Sequence, residues 1–301
     1  MLGWRCNRWM SKSKDARKPK AQLEFVKLSM RLARMHLTPY GSYKSRHDFT
    51  QPQLMTCLVL RSYWKTTYRG VIEQLQVSGE LRRAMGLRQL PNYSTLNKFA
   101  HRAGVLEVLD EMLSTLAEAA EEADGTACRE AAMDATGLET SSASAHYVSR
   151  SGRRRKGFVK VSVIVLGGSL IPASAVFGYG PGNDKTHARE LMAKASSSVR
   201  PDILYADAGY DAEWVHRYCH EDWGVMPVIK PVKHKDGPPG GVYRSLMTDK
   251  TLKKLGYGRR WLVETYNSAL KRTTGSTLNA RTGRGRMIDA AIKVLAYAIR
   301  R

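Results

Sequence analysis

Three acidic residues stand at positions where metal-dependent phosphoryl chemistry would need them. Asp134 ends the first predicted strand, Asp207 directly follows a later one, and Glu264 lies inside a predicted helix near the end of the chain. If these carboxylates converge they suit Mg²⁺, which takes a few carboxylates and keeps water and phosphate oxygens as its other ligands. The alternative is that Asp134 and Asp207 are ordinary turn or cap residues, a common role of aspartate at the end of a strand.

The predicted helix around Glu264 carries further polar residues on one stripe. At about 100° per residue, Arg260 lies about 40° from Glu264 and Lys271 about 20° from it. Tyr257 projects about 60° from Arg260 if the helix extends back that far. A surface ion pair between Arg260 and Glu264, worth under roughly 1 kcal/mol, would leave Tyr257 and Lys271 unexplained. A carboxylate metal ligand flanked by phosphate-binding donors accounts for all four residues.

Two smaller groups of polar residues receive structural interpretations. His216 and His220 are four residues apart beside Cys219, but a zinc-protease helix needs glutamate at position 217, where Arg217 stands. Zinc is therefore not expected there. Asp211 is interpreted as the cap of the helix that follows it, in preference to a supporting role at a metal site.

The chain is strongly basic. Its 301 residues include 49 Lys and Arg against 27 Asp and Glu, which gives a formal charge of +22. A charge of this sign attracts polyanions, most often nucleic acid, and argues against an ordinary metabolic enzyme. A hydrophobic share of 43% excludes a fully disordered chain, because it supplies enough apolar surface for a core.

Acidic and basic residues are unevenly distributed along the chain. Residues 107–130 hold eight acids and one base. Bases crowd into a short run that follows the first predicted strand: Arg153, Arg154, Arg155 and Lys156. This run is either a solvated loop or a DNA clamp, and its closeness in sequence to Asp134 favours the clamp.

The sequence favours a reducing compartment away from membranes. Four cysteines lie far apart without a Cys-x-x-Cys spacing, so neither a disulfide framework nor a zinc module is expected. Residues 161–183 are uncharged, but Gly167, Gly168 and Pro172 interrupt them, which predicts two buried strands joined by a turn rather than a membrane span. The basic N-terminus lacks the apolar segment of a secretory signal. We therefore expect a cytoplasmic protein without membrane contact.

Hydrophobic periodicity predicts helices in the first part of the chain and alternating strands and helices in the second. The helices of the first part are 21–36, 53–64, 68–77, 79–85, 94–102 and 107–123, with Ser94 as an N-cap. The second part predicts strands 131–136, 158–166, 170–177, 203–206 and 225–229, helices 187–197, 211–221, 258–272 and 286–300, and a loop over 231–250. The short helices that end at residue 102 form either a helix-turn-helix-like DNA reader or a purely structural bundle.

Three successive strands followed by alternating helices and strands predict an α/β fold. This order is typical of a mixed sheet with flanking helices, as in ribonuclease-H-like domains, here preceded by an all-helical N-terminal region. We divide the chain into a basic, disordered arm over residues 1–20, a helical DNA-binding region over 21–125 and a ribonuclease-H-like catalytic domain over 126–301.

Two spaced motifs and one shorter one carry a resemblance to a known family. The pattern Tyr-x2-Arg-x3-Glu-x6-Lys is matched without gaps by the four residues from Tyr257 to Lys271 described above. Asp-x-Gly-Tyr is matched at Asp207, Gly209 and Tyr210, and Asp-x-Thr at Asp134. The sequence resembles the bacterial insertion-sequence transposases of the DDE type. Residues 91–99 also resemble the helical region of these proteins, so the resemblance spans residues 51–301.

The resemblance implies an activity and its residues. Asp134, Asp207 and Glu264 would bind two Mg²⁺ ions, with Mn²⁺ able to substitute, while Tyr257, Arg260 and Lys271 would hold the backbone of the transposon end. The reaction would be two-metal phosphoryl transfer that cleaves the element's ends and joins them to target DNA. The partners implied are double-stranded DNA, at the terminal inverted repeats and the target, and a second copy of the chain in a homodimer on that DNA. The compartment implied is the bacterial cytoplasm, at the nucleoid.

One departure from the family and two rival functions remain. Only 57 residues separate Asp207 from Glu264, too few for the large β-rich insertion that some members carry, so a hairpin intermediate assisted by that insertion is in doubt. The first rival is a structure-specific nuclease or resolvase of the same fold, which would cut without joining. The second is a DNA-binding relic without catalysis, against which the presence of all three acids argues.

Overall fold

A computed structural model describes residues 21–123, 129–140, 150, 157–232 and 240–301 of the chain. Six helices come before the first strand: α1 (Ala21–His36), α2 (Gln51–Tyr63), α3 (Tyr68–Val77), α4 (Gly79–Met85), α5 (Tyr93–Ala100) and α6 (Val105–Ala123). The strands are β1 (Glu130–Glu139), β2 (Phe158–Leu166), β3 (Pro172–Tyr179), β4 (Ile203–Ala206) and β5 (Met226–Ile229). The later helices are α7 (Lys185–Ser196), α8 (Glu213–Arg217), α9 (Asp249–Lys254), α10 (Trp261–Thr274) and α11 (Gly283–Arg300).

The five strands form one mixed sheet in the order β3-β2-β1-β4-β5. The first three strands are antiparallel neighbours, and a short turn joins β2 to β3. Strands β4 and β5 then continue the sheet parallel to β1, with α7 and α8 as their crossovers. The predicted ribonuclease-H-like mixed sheet with flanking helices, preceded by a helical region, is therefore confirmed.

Both faces of the sheet are covered, which explains why the interior strand β2 is almost continuously apolar. The valines from Val159 to Val165 at every second position pack with helices α10 and α11 and with the N-terminal helices. Ile164 and Leu166 point to the other face, where they join Leu191 of α7 and Val215 of α8. The sheet thus lies between two layers of helices.

Helix α11 joins the N-terminal helices to the sheet. Its residues are buried almost without interruption from Ile288 to Ile299, because α2 and α6 pack on one side of it and the sheet on the other. Leu58 of α2 and Val163 of β2 consequently belong to one continuous core. The helices before residue 124 thus rest directly on the sheet that carries Asp134. The predicted boundary at residue 125 lies outside the described residues and stays a prediction.

Several predicted element limits are wrong for local reasons. Asn92, not Ser94, caps α5, because the Asn92 side chain accepts the N–H of Ser94 at 2.9 Å. The predicted loop over 231–250 contains the start of α9, whose first turn is capped by Thr248. Strand β1 continues to Glu139, because its second half pairs with β2 beyond the point where β4 ends.

The uncharged stretch over residues 161–183 forms two buried strands, β2 and β3, around a turn at Gly167, as predicted. In the described part of the chain, no helix combines the length and the apolar character needed to cross a membrane.

Candidate active site

Asp134 and Asp207 lie side by side on neighbouring parallel strands. Met133 of β1 pairs with Ala206, the last residue of β4, so each aspartate is the next residue after the same pair. Adjacent strands are separated by about 4.8 Å, which brings the two backbones close at this edge. Sequence reasoning placed Asp134 at the end of its strand. It lies instead where β1 loses β4 as a neighbour, which opens the same space at the edge of the sheet.

Helix α10 lies over Asp134. Strand alternation puts Asp134 on the same face as Leu138, which packs in the core shared with α10. Asn267 of α10 donates its Nδ2–H to Asp134 Oδ2 at 3.2 Å, and the Oδ1 atom of Asn267 is buried without a partner among the described residues. Sequence reasoning missed Asn267, although it lies three residues after Glu264 on one helix.

The Asp134 carboxylate is in an unfavourable electrostatic environment. Burial raises the pKa of Asp134, and the neighbouring charges of Asp207 and Asp184 raise it further, against the lowering effects of the Ala135 N–H and of Arg260. A buried carboxylate beside like charges is destabilised in its ionised form. Such an arrangement is typical of functional sites, because a structural ion pair shifts a carboxyl pKa downward.

Asp207 has the structural role that sequence reasoning held open as the alternative. Its Oδ1 atom accepts the N–H of Ala208 at 2.7 Å and caps a 3₁₀ turn over Ala208–Tyr210. Its side chain is nevertheless exposed at the sheet edge and is not consumed by this contact, because a carboxylate has about four acceptor sites. The capping bond therefore fixes the carboxylate in place beside Asp134.

Glu264 and Arg260 form the ion pair that was considered as an alternative to a metal role. Arg260 also faces the other two acids. Burial disfavours its charge, but Glu264, Tyr257, Asp207 and Asp134 outweigh burial and raise the pKa of Arg260. The guanidinium is thus within electrostatic reach of all three predicted metal ligands. The structure brings these acids together around Arg260, with Glu264 turned toward the arginine.

The remaining residues of the helix signature are arranged differently from the prediction. α10 begins at Trp261, and Tyr257 to Arg260 form a 3₁₀ turn before it, so the angle predicted for Tyr257 does not apply. Tyr257 still lies beside Arg260: burial raises the pKa of its phenol, while the Arg260 charge lowers it. Lys271 lies two turns after Glu264 and forms no ion pair within the part of the chain that the structure describes.

A fourth acid that sequence reasoning missed lies at the same edge. Asp184 precedes α7, and its Oδ1 atom is 2.6 Å from Nζ of Lys160, a buried residue of β2. The sequence offered one signal for it, Gly209 in the Asp-x-Gly-Tyr motif. A Cβ atom at Gly209 would come within 2.9 Å of Asp184 Oδ2, so a larger residue at this position would displace the Asp184 carboxylate.

The donor set of this site fits divalent cations by its chemistry. Carboxylate oxygens are the ligands of Mg²⁺ and Mn²⁺, and here the Asp134 carboxylate has two others, those of Asp207 and Asp184, as neighbours of like charge. Among the described residues, however, no three acidic, histidine or cysteine side chains lie close enough together to hold an ion as they stand. The acids thus lie near one another without converging on a single point, because Glu264 forms an ion pair with Arg260 and Asp184 forms one with Lys160.

The predictions for the basic run and for Asp211 have different outcomes. The basic run Arg153, Arg154, Arg155 and Lys156 lies outside the described residues, so its role as a clamp stays a prediction. Asp211 does not cap α8, whose N-cap is Ala212. Its buried carboxylate instead accepts two bonds from Arg244, at 2.8 and 2.6 Å, and one from the N–H of Val232 at 2.8 Å.

The sheet and the acids at its edge define a ribonuclease-H-like protein with an acidic centre, the class to which DNA-processing transposases belong. Residues 129–299 match the family described as Transposase DDE domain. This match covers more than half of the chain, which therefore belongs to the DDE transposase family. No curated protein and no solved structure matches the chain significantly. Family membership makes DNA its partner, in agreement with the charge of +22.

Proposed function

We propose that this protein cleaves the ends of an insertion sequence and joins them to target DNA, with Asp134, Asp207 and Glu264 as the residues that hold two Mg²⁺ ions. The observation that carries the proposal is the register of β1 and β4, which sets Asp134 and Asp207 side by side under the helix that bears Glu264. Mn²⁺ would substitute for Mg²⁺, because both cations accept carboxylate oxygens.

When bound, the ions supply activation of the attacking hydroxyl and stabilisation of the leaving oxygen. The residues of the chain orient this centre. Asn267 holds Asp134 by its amide N–H, and the capping bond of Asp207 holds the second carboxylate at the same edge. Arg260 is already shared among the acids, so its release from Glu264 would free both a ligand and a phosphate-binding guanidinium.

We propose Tyr257, Arg260 and Lys271 as the residues that hold the backbone of the element's end. All three flank Glu264 in chain order, and their hydroxyl, guanidinium and ammonium groups bind phosphate oxygens without reading sequence. The basic run from Arg153 to Lys156 would add a clamp, and the helices between residues 21 and 125 would read the terminal inverted repeats. Pairing of two ends by a homodimer on DNA completes the proposal.

The test is a cleavage and strand-transfer assay with Mg²⁺. The substrate is a duplex that carries the terminal repeat, read from inverted repeats in the DNA that flanks the gene, together with a target plasmid. The parent protein should cut the duplex and join it to the plasmid, whereas Asp134→Ala should bind the duplex equally well and do neither. Cleavage without joining would show a nuclease or resolvase. Equal cleavage by Asp134→Ala would reject the assignment of the centre.

A further inference from the structure

Asp184 has no structural explanation at the start of its own helix. It occupies the N-cap position of α7, where aspartate normally accepts a backbone N–H, yet its side chain makes no capping bond. The carboxylate turns instead toward the sheet and pairs with Lys160, which also donates to the Gly182 carbonyl at 2.8 Å. The side chain of Asp184 is 40% exposed, while that of Lys160 is 7% exposed. One oxygen of an accessible carboxylate is therefore held at the edge of the acidic centre.

The Asp-x-Gly-Tyr motif connects Asp184 to that centre. Asp184 Oδ2 lies against Gly209, two residues after Asp207, where a Cβ atom would come within 2.9 Å of it. Its charge also reaches Asp134, whose pKa it helps to raise after burial and the effect of Asp207. Asp184 is thus packed against one proposed ligand segment and acts electrostatically on the other.

A buried hydroxyl lies among the same acids and points to a missing ligand atom. The side chain of Tyr210 is fully buried, and its hydroxyl has no hydrogen-bond partner among the described residues, although the Ser162 side chain is near it. Burial raises the pKa of Tyr210, and Asp184, Asp134 and Asp207 each raise it further. A buried donor without an acceptor is costly, and an ordered water or ligand oxygen is its usual partner.

The charge balance identifies the kind of ligand. Within the part of the chain that the structure describes, the carboxylates of Asp134, Asp184, Asp207 and Glu264 lie near two paired cationic side chains, those of Lys160 and Arg260. With all six groups ionised, two negative charges stay uncompensated at a partly buried edge. One divalent cation supplies that charge, and a water that it coordinates would donate to the hydroxyl oxygen of Tyr210.

We infer that Asp184 is a fourth acidic residue of the divalent-cation centre, held beside it by Lys160 until a cation binds. The inference rests on the proposed function, because it assumes that Asp134 and Asp207 bind the cation. It assigns different roles to the partners of one ion pair. Asp184 contributes negative charge and oxygen ligands to the cation, directly or through water, whereas Lys160 competes with the cation for the same carboxylate.

The test measures Mn²⁺ binding to the full chain without DNA, from the electron paramagnetic resonance signal of free Mn²⁺. Asp184→Asn should weaken binding about tenfold or more, since it removes one anionic ligand from the site. The matched control is Asp202→Asn. Asp202 is also an accessible aspartate in an ion pair, with Arg129 at 2.5 Å, but it precedes β4 at the end opposite Asp207. Asp202→Asn should bind Mn²⁺ like the parent.

A third variant separates this inference from the proposed function. Asp134→Asn should lose Mn²⁺ binding if the centre is where we propose it. Loss in Asp134→Asn with parental binding in Asp184→Asn would overturn the role of Asp184 and leave the proposed centre standing. Parental binding in both variants would overturn the two together.

Lys160→Gln provides a readout of opposite sign. If Lys160 competes for Asp184, its removal should strengthen Mn²⁺ binding a few-fold, even though the buried contact to Gly182 is altered. If the ion pair only fastens α7 to β2, Lys160→Gln and Asp184→Asn should both lower the unfolding temperature. Lys160→Gln should then leave the Mn²⁺ affinity unchanged or make it weaker. That pattern would contradict the inference.

Discussion

Two charged clusters of this molecule, one in its interior and one at the edge of the sheet, are built on opposite principles. The first joins Arg61 of α2 to Asp289 of α11, both less than a tenth exposed. The second gathers Asp134, Asp184 and Asp207 at the edge of the sheet. In the first cluster a buried carboxylate faces cationic side chains, whereas in the second three carboxylates lie near one another.

The Arg61–Asp289 cluster is held by contacts between oppositely charged and polar groups, although the Nε atom of Arg61 has no hydrogen-bond partner among the described residues. Asp289 also accepts the N–H of Asn279 at 3.1 Å, and the Arg61 guanidinium lies 4.5 Å from the centre of the Tyr68 ring. Lys293 donates to the carbonyls of Thr274 and Gly275, at the end of α10. Burial lowers the pKa of Lys293 to about 8, although the Asp289 charge opposes this shift. This cluster ties α2, α10 and α11 together.

Within the acidic cluster, the Asp134 carboxylate is unfavourable for the fold when it is ionised. Burial and repulsion both raise the pKa of Asp134, so the ionised form destabilises the folded protein at neutral pH. The contrast teaches that buried charge marks structure where it is compensated inside the chain, and function where compensation must come from a ligand. Substitutions in the two clusters should therefore affect stability and activity in opposite ways.

The largest effect is expected from Asp134→Asn. Cleavage should fall at least about 10³-fold, or roughly 4 kcal/mol in the activation barrier, because a proposed metal ligand is lost. The free energy of unfolding should rise by about 1 kcal/mol, because a repelled buried charge is removed. Strand cleavage and urea denaturation measure the two effects. A variant that loses both stability and cleavage would show that Asp134 is a structural residue.

Asp289→Asn should have the opposite signature. It leaves the buried Arg61 charge without its partner, which costs roughly 3–5 kcal/mol of stability. Cleavage per folded molecule should stay close to that of the parent. Urea denaturation of Arg61→Met, Asp289→Asn and the double variant gives the coupling free energy between the two side chains. The double variant should be less destabilised than the sum of the two, and simple additivity would mean that the pair contributes nothing.

His216 is a further buried titratable group, and the pH dependence of stability tests whether its charge is compensated inside the chain. Burial lowers its pKa to about 4, although Asp211 and Glu213 favour its charged form. Because the unfolded chain binds this proton near pH 6.5, its contribution to stability is complete above that pH and is lost as pH falls toward 4.

Between pH 7 and pH 5 the loss from His216 should be about 2 kcal/mol. The difference in the free energy of unfolding between the parent and His216→Leu isolates it, because all other titrating groups are common to both. The parent should lose more stability than the variant on acidification. Equal losses in both proteins would show that His216 is protonated in the folded state.

The smallest effect is expected from Lys271→Gln. If Lys271 contacts one phosphate, the slope of log binding constant against log salt should fall in magnitude by about 0.9, uniformly across DNA sequences. Lys194→Gln is the control, since Lys194 of α7 is paired with Asp110 and Glu190, each at 3.1 Å. An unchanged slope for Lys271→Gln would remove this residue from the proposed DNA contact.

The parts of the structure that follow from local pattern were predictable from the sequence. Strand alternation and the glycine turn at Gly167 gave the hairpin of β2 and β3, and the order of strands and helices gave the mixed sheet. The adjacency of Asp134 and Asp207 followed from the same order, because both follow apolar strand segments. Their catalytic role stays a proposal.

The parts that depend on packing between distant segments were not predictable. Asp184 reaches the site through contact with Gly209, which no periodicity reveals, and Asn267 depends on the rotation of α10 over β1. The predicted position of Tyr257 was wrong, because the prediction extended the α-helical period back through residues that form a 3₁₀ turn ending at Arg260. Asp211 fastens Val232 to Arg244 instead of capping its helix, a contact between segments far apart in sequence.

The central claim is that the acids at the edge of β1 and β4 take up divalent cations together. Anomalous diffraction from crystals of the protein grown with Mn²⁺ locates the ions directly. We predict manganese between Asp134 and Asp207, with the Glu264 carboxylate withdrawn from Arg260 toward the metal. Manganese bound elsewhere, or an ordered site without metal in which Glu264 still pairs with Arg260, would contradict the account.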